Sequence, residues 1–259
     1  MLVDAHAHLD RYDEELGSAL EEIEQHRILT ISNSMDLASY ERNVKIAERS
    51  ELVVPTFGVH PWNAPAYADR LASLGDAIEQ SPMLGEIGLD HHFIEDESQY
   101  PAQREVLAFF LAAAREQRKV VSLHTKGAER EILDMLDEYE TQRAIVHWYS
   151  GPLGVLRELM AFGVYFTVGV EVLHSEHVQA IARELPRDRL LTETDNPGGF
   201  RSLTGSLGMP LLLKDVIRAL AGLRKTTYGD IVWTVRCNLA RLAQGDPRLS
   251  EISNRVMAG

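Results

Sequence analysis

Short apolar runs alternate with longer amphipathic stretches, and the alternation persists to the end of the sequence. The short runs predict strands at 2–6, 28–32, 52–56, 83–87, 120–124, 144–147, 164–168 and 190–193. Between them, sets such as Leu16, Leu20 and Ile23, or Ile132, Leu133 and Leu136, recur at helical spacing and mark helices with one buried face. Asp36 and Ser98 read as helix N-caps, and Gly163 as closing a helix before Val164. A late helix is expected over 228–243, after Thr226-Thr227. Repeated strand–helix units predict a parallel sheet. About eight such units predict an α/β fold, a single (β/α)8 TIM-type barrel. A doubly wound open sheet is the runner-up, but no glycine-rich phosphate fingerprint follows the first strand. No linker, low-complexity segment or composition shift divides residues 1–259, so one barrel domain is expected.

Composition changes this picture little. Hydrophobic content of 45% and charged content of 25% are ordinary for a soluble globular chain. No apolar run approaches the ~20 residues that cross a bilayer, so no membrane partner is expected. An acid and a histidine within the first six residues argue against a secretory leader. The one cysteine, Cys237, excludes an internal disulfide and fits a reducing, cytoplasmic setting, as a small apolar residue on a late helix. Charge is more informative. A net charge of −13 argues against a generic duplex binder, which needs a basic footprint, but not against an enzyme that engages only a chain end.

The chemistry appears when polar residues are placed on the strand map. In Asp4-Ala5-His6-Ala7-His8 the pleat puts His6 and His8 on one side, with Asp4 on the same side. Two imidazoles one pleat apart can grip a divalent ion. The fourth strand runs into Gly85-Glu86-Ile87-Gly88-Leu89-Asp90, the fifth ends at His124, the sixth at His147, and the eighth at Glu193-Thr194-Asp195. All lie at C-terminal strand ends, the catalytic face of a barrel. Ionisable groups at the end of an otherwise apolar barrel interior are costly to bury, and a metal centre offsets that cost. Four histidines and two carboxylates exceed the needs of one tetrahedral ion and suit two ions bridged by a carboxylate.

Together with Gly58-x-His60-Pro61, His147-x-x-Ser150-Gly151 and Asp195-x-Pro197, these motifs resemble the TatD-type metal-dependent deoxyribonucleases of the amidohydrolase-like barrel superfamily. The resemblance covers nearly the whole chain in order. It implies a barrel that hydrolyses phosphodiesters, often as a 3′–5′ exonuclease on DNA, single strands or 3′ ends being the expected substrate. Carried over by position, it implies that His6, His8 and Asp195 hold one ion, and that Glu86 bridges to a second held by His124 and His147. His60 would face the substrate. Two divalent ions would acidify a shared water to the attacking hydroxide, with Asp195 moving its proton. The mixed ligand set suits Zn, Mn, Fe or Ni, and Mg less well.

The chain departs from the family pattern in three places. Thr125-Lys126 stands where Ser-Arg is usual, which leaves a point charge instead of a guanidinium fork. Trp148-Tyr149 replaces the usual Cys-Phe, so these rings either stack on a base or pack in the core. Gly198-Gly199-Phe200-Arg201 and Gly208-Met209-Pro210 replace a basic loop and its Asn-Glu-Pro motif, which bears on substrate identity. Lys126 and Arg201 are the remaining phosphate-contact candidates, set against ordinary solvated charges. Asp4 and Glu193 are either partners that orient a ligand or residues lining the barrel end and anchoring a loop. His91 and His92 are expected to be exposed loop residues, and His26, His174 and His177 receive no role. Two rival functions share these residues. One is hydrolysis of an amide, ester, lactone or D-aminoacyl-tRNA on the same site, and the other is a TatD-like subunit of a larger assembly.

Overall fold

A computed structural model describes residues 1–258 of the chain. Among these residues, eight strands bury both faces: β1 (Leu2–Ala7), β2 (Ile28–Asn33), β3 (Val53–Thr56), β4 (Leu84–Gly88), β5 (Val121–His124), β6 (Ala144–Val146), β7 (Tyr165–Val168) and β8 (Leu190–Thr192). Each end lies within one residue of its expected position. Every pairing is parallel, in two arcs ordered β1-β2-β3 and β4-β5-β6-β7-β8.

The arcs meet at both seams. A parallel bridge joins Phe57 to Leu84, and the Gly85 amide donates to Phe57 O at 2.8 Å. At the other seam, Thr192 Oγ1 donates to Val3 O at 2.6 Å and the Asp195 amide to His6 O at 2.9 Å. The architecture is the expected α/β barrel, and both faces of its strands are buried, as parallel sheets require.

The outer layer contains α1 (Leu16–His26), α2 (Leu37–Ala47), α3 (Gly75–Gln80), α4 (Tyr100–Gln117), α5 (Glu129–Glu138), α6 (Leu153–Phe162) and α7 (Glu176–Glu184). After β8 come α8 (Gly198–Thr204), α9 (Leu213–Leu223), α10 (Tyr228–Ala243) and α11 (Ser250–Ala258). Local signals set several ends. Asp36 caps α2 in a reciprocal box with Ser39, and Gly163 ends α6 in a left-handed conformation (φ 103°). The late helix matches its expected bounds.

Two expectations are corrected. Ser98 does not cap α4; it sits in a 3₁₀ turn at Glu97–Gln99, where Asp96 accepts from its amide (3.1 Å) and hydroxyl (2.6 Å). Asp96 outcompetes Ser98 because a carboxylate two residues earlier can cap both donors. The interior beneath the metal-ligand candidates is also less apolar than expected. Asn33, Thr56 and Ser122 are buried there and hydrogen-bonded, with Thr56 Oγ1 donating to Asn33 Oδ1 at 2.9 Å. These groups are satisfied by one another and by the ligands above them, which makes their burial tolerable.

Candidate metal centre

The strand ends bring the expected donors together around one carboxylate. Glu86, midway along β4, faces two sets of histidines with its two oxygens. Oε2 lies 3.4 Å from His6 Nε2 and 3.2 Å from His8 Nε2. Oε1 lies 2.9 Å from His124 Nδ1, 2.7 Å from His147 Nε2 and 3.4 Å from His60 Nε2. Asp195 Oδ1 completes the first set, 3.3 Å from His8 Nε2 and 3.7 Å from His6 Nε2. Its side chain is 22% exposed, whereas the histidines and Glu86 are buried. His60 sits closer to these donors than a substrate-facing loop residue needs to, and with Glu86 and His124 it forms one of three donor groups compatible with a cation.

Two glycines make this convergence possible. A Cβ on Gly88 would meet His124 O at 1.9 Å, and one on Gly58 would meet Glu86 O at 2.4 Å. Any side chain at either position would push β4 away from its neighbours, which explains the glycines flanking His60 and Glu86. Asp195 and Trp148 hold left-handed backbones (φ 52° and 41°), a conformation that costs about 1–3 kcal/mol in non-glycine residues and clusters at functional sites.

Surrounding groups orient the imidazoles. His8 Nδ1 lies 2.9 Å from Asn33 O, so Nδ1 carries the proton and Nε2 is left as a lone-pair donor. His6 Nδ1 lies 3.2 Å from Ser122 Oγ. His124 Nε2 lies 3.0 Å from Asp90 Oδ2, which leaves Nδ1 facing Glu86. His147 Nδ1 and Glu193 Oε2 are buried, lack hydrogen bonds, and face one another at 3.5 Å. The His6 and His147 rings stack at 3.8 Å. The two Nε2 atoms of His6 and His8 lie 3.3 Å apart and can share at most one proton. Lone pairs packed this closely, with no apolar lining between them, fit divalent cations at this centre.

Charge follows the same arrangement. Burial alone would raise the Glu86 carboxyl, but His147, His60 and His6 hold it well below the usual range. Burial would lower His8, yet the Asp195 and Glu86 carboxylates raise it to about 10, so Nε2 holds a proton that a cation must displace before this nitrogen can act as a ligand. Burial lowers His60 to about 4, keeping that ring neutral. Burial raises Asp4 to about 7 against its bonds to Thr194.

Other expected residues divide. Asp4 does not orient an imidazole; it accepts from Thr194 N (2.9 Å) and Thr194 Oγ1 (2.6 Å), tying β1 to the end of β8. Glu193 accepts from the Trp148 amide at 2.9 Å as well as facing His147. Tyr149 is a core residue, while Trp148 walls the cavity above the donors. That cavity, of about 370 Å³, also takes in Lys126, whose Nζ donates to Ser150 Oγ at 2.6 Å. Arg201 is not brought to the donors. It lines an adjoining polar cavity with Arg42, and Arg11 borders both cavities. His92 is exposed as expected, but His91 is partly buried and stacks on Tyr100 at 3.8 Å. His177 reaches the carbonyls of Ser150 and Gly151.

The sequence does not mark Asp90, which bonds His124 and Trp62, or Trp62 and Glu171, which line the cavity, Glu171 accepting from Trp148 Nε1. Asp90 closes the Gly85–Asp90 motif and could have been found there. Trp62 gives no sequence signal beyond its place after His60-Pro61.

Comparisons with known proteins give the family. Residues 3–244 match the family described as TatD related DNase. The metal-dependent hydrolase YabD of Bacillus subtilis is 29% identical over 256 residues, covering 93% of this chain and 98% of that relative. Human deoxyribonuclease TATDN3 is 26% identical over 213 residues, covering 76% of this chain and 78% of its own length. The crystal structure of YjjV, a TatD homologue from Escherichia coli, superposes with a TM-score of 0.85 at 24% identity, covering 93% of this chain and 97% of that one. The chain belongs to the TatD related DNase family and is a metal-dependent hydrolase of that family.

Proposed function

We propose that this single barrel is a deoxyribonuclease that removes nucleotides from the 3′ ends of single-stranded DNA, using two divalent ions. The observation that carries the reading is Glu86, whose two oxygens face separate donor sets. His6, His8 and Asp195 would hold one ion, His124 and His147 the other, and Glu86 would bridge them. When bound, such ions supply Lewis acidity, lowering the pKa of water and polarising a phosphoryl oxygen.

The protein's own groups do the rest. Asp195, the most exposed of the donors, accepts the proton of the attacking water and returns one to the leaving oxygen. His60 is a neutral ring whose Nδ1 accepts from the Trp62 amide, and its Nε2–H, which faces Glu86 at 3.4 Å, would turn to donate to a phosphate oxygen. Lys126, which lines the same cavity, neutralises a phosphate oxygen. Arg11, which borders both cavities, and Arg201 meet the next phosphate along the strand.

The test is turnover of metal-reconstituted protein on 3′-labelled and 5′-labelled single-stranded DNA, with Asp195→Asn as control. Stepwise loss from the 3′ end that disappears in the variant is the expected result. No cleavage with Mg²⁺, Mn²⁺ or Zn²⁺, together with hydrolysis of small esters or lactones, would transfer the site to a carbonyl substrate.

A further inference from the structure

The mouth of the metal cavity carries an unspent apolar surface. Six large hydrophobic side chains are exposed among the described residues, and three of them line this one cavity: Trp62 (43% exposed), Phe93 (57%) and Leu203 (40%). Trp62 and Phe93 form a pair, with ring centroids 6.1 Å apart and edge to face. The Trp62 ring also stands edge to face on His60 at 4.7 Å, so the pair begins beside the candidate metal ligands.

Asp90 holds this pair in place. Its Oδ2 accepts from Trp62 Nε1 at 2.7 Å and lies 3.0 Å from His124 Nε2. Its Oδ1 accepts from the Phe93 amide at 2.7 Å and the His92 amide at 2.9 Å. One buried carboxylate therefore positions both aromatic residues and an imidazole of the metal centre. Such anchoring presents the ring faces to a ligand at little ordering cost.

We propose that Trp62 and Phe93 are a stacking platform for an unpaired nucleobase at the end of the strand. The occupant follows from what surrounds the rings. Their faces offer π surface, which suits a flat heterocycle and tolerates any base. Lys126 and Arg11 line the same cavity and supply the positive charge that a phosphate needs. Aromatic rings and cationic groups lining one cavity complement a base attached to a phosphodiester, and stacking requires that base to be unpaired. The platform rests on the nuclease reading above for its substrate class, and it assigns the base-reading side of that substrate to this chain's own residues.

The experiment is equilibrium binding, read by fluorescence anisotropy and kept apart from cleavage. The probe is a 5′-labelled oligothymidylate with phosphorothioate linkages at its 3′ end, compared with the same strand lacking its last two bases. The wild type is expected to bind the intact strand about tenfold more tightly than the abasic one. Phe93→Ala and Trp62→Ala should each bring the ratio of intact-strand to abasic-strand affinity to within about twofold, the ratio being the readout because Trp62 also packs on His60. Trp62→Phe keeps a ring face but loses the N–H to Asp90, and should retain most of the preference. Equal wild-type binding of the two strands, or variants that keep the full preference, would overturn the platform. Base-dependent binding without cleavage of ordinary DNA under any metal would support the platform and sink the nuclease reading alone.

Discussion

Charged side chains behave in opposite ways on the outside of the barrel and at its centre. Around the outside, Arg104 on α4 pairs with Glu131 on α5, Arg130 on α5 with Glu158 on α6, and Arg157 on α6 with Glu184 on α7. The partners are 27, 28 and 27 residues apart, one strand–helix unit each time, so the pairs form a belt from helix to helix. Each charge there has its partner and stays largely in water, where such a pair is worth about 0–1 kcal/mol. At the centre five imidazoles converge on one buried carboxylate. The belt pairs its charges, whereas the centre leaves His147 Nδ1 and Glu193 Oε2 without a hydrogen bond. Buried, convergent and unmatched charge is what marks the functional end of this molecule.

The comparison breaks most sharply at Asp195. Asp195→Asn should lower turnover by about 10²–10⁴-fold while thermal unfolding of the protein stays cooperative. Turnover that survives in this variant would remove Asp195 from the chemistry. Glu193→Gln comes next, because it changes only the group facing His147 Nδ1. Competition with a chelator should show metal affinity falling about 10- to 100-fold. An unchanged affinity would reduce Glu193 to an anchor for the Trp148 amide.

Lys119 sharpens the comparison from the far end of the barrel. It is a buried cation that does have partners, donating to Ile78 O and to Glu79 O (2.9 Å) at the end of α3. Lys119→Met should destabilise the protein by about 1–3 kcal/mol in chemical denaturation. Burial, with Arg248 nearby, lowers the Lys119 ammonium from 10.5 to about 8. Between those pH values the unfolded chain holds a proton that the folded chain has released. This contribution to stability is therefore fully present above 10.5 and lost as pH falls through 8. The advantage of the wild type over Lys119→Met should widen as pH rises across that window, and a constant difference would contradict the shift. Smallest of all, Arg157→Ala should change stability by no more than about 1 kcal/mol and leave metal affinity untouched. A larger loss would show that the belt carries more of the fold than isolated exposed pairs do.

Much of this is legible in the amino-acid sequence. Strand periodicity placed His6 and His8 on one side, and each strand run ended within a residue of its observed limit because these strands are buried on both faces and read as plain apolar blocks. What escaped was tertiary. Asp90 follows its strand by only two residues, yet its partners Trp62 and His124 come from other units, and no local pattern announces such a junction. Asp4 shares the pleat of the two histidines but is taken up by Thr194 across the seam. The hydroxyl and amide layer of Asn33, Thr56 and Ser122 lies hidden inside runs that read as apolar. Ser98 lost its expected role to Asp96, two residues earlier, a competition between side chains that cap preferences alone do not resolve.

The central claim is that Glu86 stands between two cations. Anomalous diffraction from crystals grown with Mn²⁺ tests it most directly. The account predicts two peaks per chain, one bounded by His6, His8 and Asp195 and the other by His124 and His147, with the Glu86 carboxylate between them. A single peak that Glu86 does not touch, or no peak at these strand ends, would contradict it.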